Sequence, residues 1–268
     1  MSDTPNNLQP RKITGINRIG LYTLIHKEIA RFLNVYVQTL AAPVITTLLF
    51  YTVFALAFGG LSREIGGVPF MEFLAPGLII MAMVQNAFAN SSSSLIIAKV
   101  QGNIVDVLMP PLSAGELYTG YVVGALVRGI LVGLVTAAVM ILFVKIHYHS
   151  FVLIVVFSVL GNMMLGSLGI AAGIWADKFD HMATVTNFII TPLAFLSGTF
   201  YSIEQLPGIW KTLAFYNPFF YMIDGFRAGF IGHADGNIVT GIIVLVAINA
   251  ALAVLCMRMI ATGYKIKS

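Results

Sequence analysis

Long apolar segments without charge are the feature that most constrains the fold of this chain. Five windows contain no Asp, Glu, Lys or Arg, and the shortest has 22 residues. As a helix, 22 residues reach roughly 33 Å, enough for a hydrocarbon core of about 30 Å. A sixth segment, 117–144, is interrupted only by Arg128. The five windows are residues 32–62, 73–98, 150–176, 182–203 and 236–257. We therefore predict an all-α integral membrane protein with six transmembrane helices.

Composition excludes the other broad classes. Hydrophobic residues make up 58% of the chain and charged residues 10%, against roughly 45–50% and about 25% in soluble domains. A mean hydropathy of +0.90 is incompatible with intrinsic disorder, which combines low hydrophobicity with high net charge. The single cysteine, Cys256, cannot form an intrachain disulfide, and no Cys/His cluster has the spacing of a structural zinc site.

The distribution of Lys and Arg predicts the orientation. Six spans put both termini on one side, which then carries ten basic residues against four on the other. The positive-inside rule places the side with ten in the cytosol. This topology also explains the net charge of +4, so nucleic acid is not expected as a partner. The ten are Arg11, Lys12, Arg18, Lys27, Arg31, Lys99, Lys178, Arg258, Lys265 and Lys267; the four are Arg63, Lys145, Lys211 and Arg227.

An amphipathic helix precedes the first span. Apolar residues recur at helical spacing on one face, while Lys27, Arg31 and Asn34 fall on the other. We predict an interfacial helix with its basic face toward anionic lipid or a cytosolic partner, either as a simple anchor or as a moving part. The apolar face comprises Leu21, Ile25, Ile29, Phe32, Leu33 and Tyr36. The predicted domains are a cytosolic tail with this helix (1–34), a transmembrane domain (35–262) and a short cytosolic tail (263–268).

The chain has no evident energy source. Ion-driven carriers need titratable groups at membrane depth, and the charge-free windows contain no carboxylate. A phosphate-binding loop of the G-x-x-x-x-G-K-[ST] type is also missing from the sequence, so the chain should not hydrolyse ATP by itself. It is therefore either a passive pore or a transporter that takes force from another polypeptide.

The predicted cytosolic loop 99–116 is the best candidate for receiving such force. Gly102 should break the preceding helix, Asn103 should cap a short apolar helix, and two prolines should end it. Ser113 and Glu116 fit a capping box that starts the next span. This short helix is either a lever docked into a cytosolic partner or a loop covered by the chain's own helices.

Arg128 lies roughly 16 Å into its span, near the membrane midplane. Two interpretations remain open: a structural role, bonded to helix-end carbonyls or an acidic partner, or a place on a path for an anionic substrate. We place Asn86 and Asn90 of the second span on the same candidate path. At the predicted outer mouth, His147 and His149 belong either to an ordinary polar loop or to a metal site.

Segment 204–232 is too apolar for a free loop and too broken for a full crossing. Pro207 and the Asn217–Pro218 step should divide it into a re-entrant pair of half-helices before the last span. Asp224 and Arg227 are three residues apart on one helical face and are expected to neutralise each other. Three small-xxx-small glycine pairs, in 120–133 and 169–173, indicate close helix packing within one bundle or a dimer seam.

The pattern resembles the membrane subunit of an ABC-2 type exporter over nearly the whole chain. The specific segments are QGNIVDVLMPPLSAGEL, residues 101–117, and NPFFYMIDGFRAGF, residues 217–230. Within that family the chain is similar to small bacterial inner-membrane permeases related to the nodulation lipo-oligosaccharide exporter and, more distantly, to capsule and O-antigen exporters.

The resemblance implies a homodimer in the bacterial inner membrane with two copies of a cytosolic ATPase, which holds ATP and Mg²⁺, so that this chain itself has no cofactor. Substrate would pass between the subunits, facing the second and fifth spans. Residues 101–112 would form the coupling helix and 21–33 the connecting helix. Coupling residues would be Gln101, Gly102, Asn103, Ile104, Val105, Asp106, Leu108, Ser113 and Glu116. Connecting-helix residues would be Lys27, Glu28 and Arg31. The outward cap would include Asn217, Pro218, Tyr221, Asp224 and Arg227.

Two other classes stay open on the residues alone. A membrane-embedded transferase would need a histidine with a nucleophile or paired carboxylates near an interface, and the sequence offers only His181 beside Asp180 and His233 near Asp235. A passive channel would need a charged ring or a filter motif, which the sequence lacks.

Overall fold

The computed structural model describes residues 15–58, 64–65, 67–145 and 147–266. The outer parts of the two predicted cytosolic tails, the end of the first predicted span and the basic residues Arg11, Lys12, Arg63 and Lys267 therefore lie outside the described residues. The described chain is almost entirely helical, as predicted.

The first half runs from the amphipathic helix to the predicted coupling loop and beyond. Asn17 starts helix α1 by accepting a hydrogen bond from the Gly20 N–H. A π-helical turn, Val37–Ala41, leads directly into α2, and a two-residue antiparallel hairpin pairs Ile65 with Val68. The elements are α1 Arg18–Leu33, α2 Ala42–Phe58, β1 Glu64–Ile65, β2 Val68–Pro69, α3 Phe70–Val100, α4 Ile104–Leu108 and α5 Ala114–Met140.

The second half contains two long helices separated by short ones. Its elements are α6 Phe151–Trp175, α7 Phe179–Val185, a π-helical turn Thr186–Ile190, α8 Thr191–Phe195, a 3₁₀ turn Ile203–Gln205, α9 Gly208–Tyr216, α10 Pro218–Ile231 and α11 Ile238–Thr262. Helices α9 and α10 meet at Asn217, where the sequence predicts the break between two half-helices.

Among the described residues, five helices are long and apolar enough to cross a membrane: Val37–Phe58, α3, α5, α6 and α11. They match five of the six predicted spans. The remaining segment, 182–203, is not one long helix, because continuous helix ends at Phe195 and the chain then turns through Gly198 at φ 76°. The first span also begins later than predicted, since Phe32 belongs to α1.

Helix α3 is the centre of the bundle. In its most apolar stretch 83% of the residues are buried, against 17% for both Val37–Phe58 and α11. Helices α5, α6 and α10 pack around it. The predicted glycine pairs serve this packing: a Cβ on Gly169 of α6 would lie 2.5 Å from the Phe88 carbonyl oxygen of α3. These glycines thus bring helices together within one chain.

We predict that Gly169→Ala destabilises the bundle by about 1–3 kcal/mol, because the new methyl group overlaps α3 backbone that cannot move aside. Thermal unfolding in detergent measures the effect. Gly115→Ala is the matched control, since its Cβ would meet only the Met257 sulfur at 3.9 Å. Equal melting temperatures for the two variants would contradict this account of the packing.

Candidate functional site

The predicted coupling loop has the expected outline. Helix α3 ends at Val100, Gly102 takes a left-handed φ of 75°, and α4 covers Ile104–Leu108. One detail is wrong: the Asn103 side chain does not cap α4, because Asn103 adopts φ −86° and ψ 6° rather than the extended backbone of a capping residue. Its carbonyl oxygen accepts from the Asp106 N–H instead.

Helix α4 has one covered face and one open face. Val107 is buried, and Ile104 and Leu108 pack with it against a cluster formed by α1, α3, α5, α6 and α11. Val105 of α4 is 57% exposed, and Met109, which directly follows the helix, is 73% exposed. The chain's own helices therefore cover one face of this helix and leave the other open. The open face presents apolar side chains together with exposed Gln101 and Asp106.

The exit of the loop is fixed by the predicted capping box. The Ser113 hydroxyl accepts from the Glu116 N–H at 3.3 Å, and the Glu116 carboxylate accepts from the Ser113 N–H at 2.6 Å. The same carboxylate accepts from the backbone N–H of Asn17, whose side-chain amide donates to the Pro111 carbonyl at 3.3 Å. Glu116 thereby ties the start of α1 to the start of α5, a contact that local sequence patterns do not reveal.

The entrance of the loop is fixed by an ion clamp at the end of α6. The Lys99 ammonium donates to the carbonyls of Ile174, at 2.9 Å, and Ala176 and lies 3.3 Å from the Asp177 carboxylate. Lys265, after α11, donates to the same carboxylate at 2.7 Å. Cations at a helix C-terminus are favourable because carbonyls there lack intrahelical partners. In the sequence, Lys99 and Lys265 indicate only the orientation of the chain in the membrane.

This clamp gives a pH-dependent contribution to stability. The hydrogen bond from Lys265, together with Lys99, lowers the pKa of Asp177 below its ordinary 3.8. A lowered carboxyl pKa stabilises the fold above the ordinary value, and the effect disappears as the pH falls through the lowered value.

We therefore expect Asp177→Asn to lower the melting temperature at pH 7 and to have a progressively smaller effect as the pH is brought below 4. Thermal unfolding of both proteins across that range measures it. Asp106→Asn serves as the control, because Asp106 is exposed and has no ion pair in the described chain. A difference between wild type and Asp177→Asn that does not vary with pH would contradict the clamp.

Helix α1 is turned differently from the amphipathic prediction. Its buried stripe is Leu24, Glu28 and Phe32, and the Glu28 side chain is fully buried. Arg31, predicted to face lipid or a cytosolic partner, points inward, whereas Lys27 is exposed as predicted. The reason is chemical: at this level α3 presents polar side chains, which hydrogen-bond to Glu28 and Arg31.

Glu28 and Arg31 form the core of a polar network between α1 and α3. They are 3.1 Å apart, and the Ser94 hydroxyl donates to the second carboxylate oxygen at 2.7 Å. The guanidinium also donates to the Asn90 carbonyl at 2.7 Å, to the Asn90 side-chain oxygen at 3.0 Å and to Ser93 at 3.2 Å. Asn90 is thus engaged by the connecting helix.

Removal of one partner of a buried ion pair leaves the other charge uncompensated. We predict that Glu28→Gln lowers stability by about 3 kcal/mol, the lower end of the range for a broken buried ion pair, because Arg31 keeps 27% of its side chain exposed. The double variant Glu28→Gln/Arg31→Gln should recover part of that loss. Chemical denaturation of the wild type, the two single variants and the double variant measures the interaction energy between the two charges. Additive effects would show that the two charges do not interact.

Arg128 lies one helical turn of α3 away from this network. Its guanidinium donates to the Asn86 side-chain oxygen at 2.9 Å, and the Asn86 amide donates to the Ala82 carbonyl. The partner is thus a neutral amide, neither of the two structural partners expected for this arginine. Asn86 also lines a cavity of about 540 Å³ between α2, α3 and α8, together with Gln38, Thr46, Thr47, Gln85 and Thr191.

At the opposite end of α3, Asp224 and Arg227 do not form the predicted direct ion pair. The Asp224 carboxylate accepts from the backbone N–H groups of Asp235 and Gly236, both at 2.9 Å. The Arg227 guanidinium donates to the Gly198 carbonyl at 2.7 Å and lies over the Phe73 ring at 3.7 Å. Each side chain is hydrogen-bonded to the backbone of a loop, and neither loop was expected there from the sequence.

The other predicted cap residues hold α10 in position. Asn217 caps α10 through its side-chain oxygen, and its amide donates to the Leu193 carbonyl at 2.6 Å. Pro218 occupies the first turn of that helix, as its missing N–H allows. Tyr221 is partly buried against the ring of Phe220.

The histidines considered for chemistry lie at separate places. His181 accepts a hydrogen bond from the Asp177 N–H at 3.3 Å, and His147 lies 3.3 Å from Glu72. His233, Asp235 and Glu204 bring ligand atoms within 4.8 Å of one another. One oxygen of the Asp235 carboxylate already accepts hydrogen bonds from the Ser202 hydroxyl and from the Ile203 N–H.

The comparisons with known proteins agree with this geometry. The family described as ABC-2 type transporter matches residues 20–231, which include most of α1, the predicted coupling loop and α10. The chain belongs to the ABC-2 type transporter family. It is a multi-pass membrane protein, the permease subunit of an ABC transporter.

Named relatives support the same placement. The chain is 38% identical over 250 residues to the inner membrane transport permease YadH of Escherichia coli, covering 93% of this chain and 98% of the relative. It is 26% identical over 176 residues to nodulation protein J of Rhizobium leguminosarum, covering 65% and 67%. To nodulation protein J of Sinorhizobium fredii it is 24% identical over 195 residues, covering 70% and 72%.

Proposed function

We propose that this permease works as a homodimer in the bacterial inner membrane, with both termini cytosolic, and exports a substrate under the force of two cytosolic ATPase subunits. ATP and Mg²⁺ would bind to the ATPase. The inner membrane is also the location that the printed name of the Escherichia coli relative gives for that protein.

The observation that carries the proposal is the open face of α4. Val105 and Met109 expose apolar surface on a short helix whose two ends are held firmly, by Lys99 at the entrance and by Glu116 at the exit. An apolar face on a restrained cytosolic element needs a cover. A groove in the ATPase would supply that cover. Because both ends of the loop are bonded to helices, a movement of this groove would move α3 and α5 and not merely bend the loop.

The sixth crossing would be completed by α7, α8 and the turn that follows. Residues 179–195 are continuously helical, and the wider π-helical turn Thr186–Ile190 lies within them. We propose that this segment crosses most of the bilayer and that residues up to Ile203 finish the crossing inside the protein, where irregular backbone is tolerated. Helices α9 and α10 would then form the re-entrant outer hairpin.

The substrate path would run along the cavity that Asn86 lines. Its walls combine amide and hydroxyl side chains with aromatic rings, and Gln85 is exposed although it lies in the middle of α3. An exposed amide in a span avoids lipid only if it faces a second copy or a polar path. A second subunit placed opposite α2 and α8 would close this cavity, with Arg128 behind Asn86 adding positive potential.

ATP binding would bring the two ATPase subunits together and, with them, the two α4 helices. Such a change is driven only by the difference in nucleotide affinity between the open and closed states. Because Glu116 also binds the Asn17 N–H, α1 would move together with α5. The polar network of Arg31 would pass that movement to the middle of α3.

A site-specific crosslinker tests the docking face. We expect p-benzoylphenylalanine at Met109 to capture, in native membranes, a protein with Walker and signature ATPase motifs, identified by mass spectrometry. The same crosslinker at Tyr216, 82% exposed in α9, is the matched control and should not capture it.

Charge reversal provides the functional half of this test. Asp106→Arg should reduce the Met109 crosslink and uncouple ATP hydrolysis from transport without lowering the melting temperature, because the side chain is exposed. A variant without residues 101–112 that still binds the ATPase tightly would refute the proposal.

A further inference from the structure

An apolar groove opens to the membrane between α6, α11 and the π-helical turn Thr186–Ile190. Its volume is about 590 Å³, within the range of sites that hold lipid-sized or drug-sized molecules. Aliphatic and small side chains line its length, among them Leu168, Ala171, Ala172, Ile189 and Leu255. It is separate from the proposed substrate cavity, which lies between α2, α3 and α8.

The groove has a polar end as well as an apolar body. Arg258, Thr262 and Tyr264 line it where α11 ends, and Trp175 lines it where α6 ends. From Leu168 to Trp175 along α6 the apolar part extends roughly 10 Å. Trp and Tyr prefer the level of lipid headgroups. The groove therefore combines an apolar body, which fits part of an acyl chain, with a polar end at the headgroup level.

Arg258 is the charged group at that polar end. The neighbouring cation, Lys265, is already occupied by Asp177 and by the Trp175 carbonyl oxygen. Arg258 is exposed, and no acidic side chain of the described chain lies within ion-pair distance of it. An uncompensated guanidinium beside an apolar groove is complementary to an anion that carries an apolar chain.

From this combination we infer that the groove between α6 and α11 binds an anionic phospholipid, with its phosphate at Arg258 and one acyl chain along Leu168 and Leu255. Basic pockets between transmembrane helices on the cytosolic side hold lipid headgroups by the same chemistry. The lipid would contact the end of α6, which the ion clamp joins to the entrance of the coupling loop. It would thus stabilise the coupling loop from the membrane side.

Trp175 provides a direct readout, because the chain has two tryptophans and only this one lines the groove. In Trp210→Phe protein reconstituted in phosphatidylcholine nanodiscs, quenching of Trp175 is measured as acyl-brominated phosphatidylglycerol or acyl-brominated phosphatidylcholine is added. We expect half-maximal quenching at a mole fraction about fivefold lower for phosphatidylglycerol, the ratio that roughly 1 kcal/mol from one cation gives.

Four variants separate this site from ordinary surrounding lipid. Arg258→Gln should abolish the preference for phosphatidylglycerol, Arg258→Lys should keep most of it, and Arg18→Gln, which removes an exposed cation at the start of α1, should leave it unchanged. Ala171→Phe, which fills the groove, should weaken quenching by the preferred lipid.

Equal quenching by the two lipids in the parent protein, or a preference that survives Arg258→Gln, would overturn the inference. Trp175 that neither lipid quenches would also overturn it, because another protein surface, such as a second copy, would then cover the groove.

Discussion

The need to pair polar groups that lie away from water organises this protein. Helix α3 is buried for most of its length, yet it carries Asn86, Asn90 and a run of serines in its middle. Each of these groups costs free energy in an apolar interior unless it is hydrogen-bonded. Their partners are Arg128 of α5, Arg31 and Glu28 of α1, and the Gly166 carbonyl of α6, which Ser91 binds at 2.7 Å. The polar stripe of α3 thereby determines which helices surround it and how they are turned.

The same helix joins the two ends of the molecule. With 31 residues, it is roughly 46 Å long. Phe73, under the Arg227 guanidinium, lies near one end, and Lys99, beside the predicted coupling loop, lies near the other. Close-packed helices transmit displacement because their interiors resist compression. In the proposed mechanism, a force applied at α4 would therefore reach α10 through a single continuous element, and the loops at either end of α3 are bonded to charged groups.

The elements that sequence predicts correctly are those with local causes. Hydropathy locates five spans, the Ser113–Glu116 spacing gives the capping box, and Asn217–Pro218 gives the boundary between α9 and α10. The misplaced features depend on contacts distant in the sequence. The apolar face predicted for α1 contains Ile25, whereas the buried stripe contains Leu24, about 100° away on the helix. This rotation of α1 follows from the contacts of Glu28 and Arg31 with α3, and the apolar periodicity of α1 does not predict it.

Asp224 and Arg227 show the same limit at closer range. Spacing of three residues permits an ion pair on an isolated helix, where it contributes only about 0.2–0.5 kcal/mol. In the folded chain each group finds unpaired backbone instead: two N–H groups for the carboxylate and two carbonyls for the guanidinium. Hydrogen bonds between charged groups and buried backbone contribute about 1.5–3 kcal/mol, so tertiary contacts outweigh the local pair. The loops that contain Gly198 and Gly236 are consequently both held by α10.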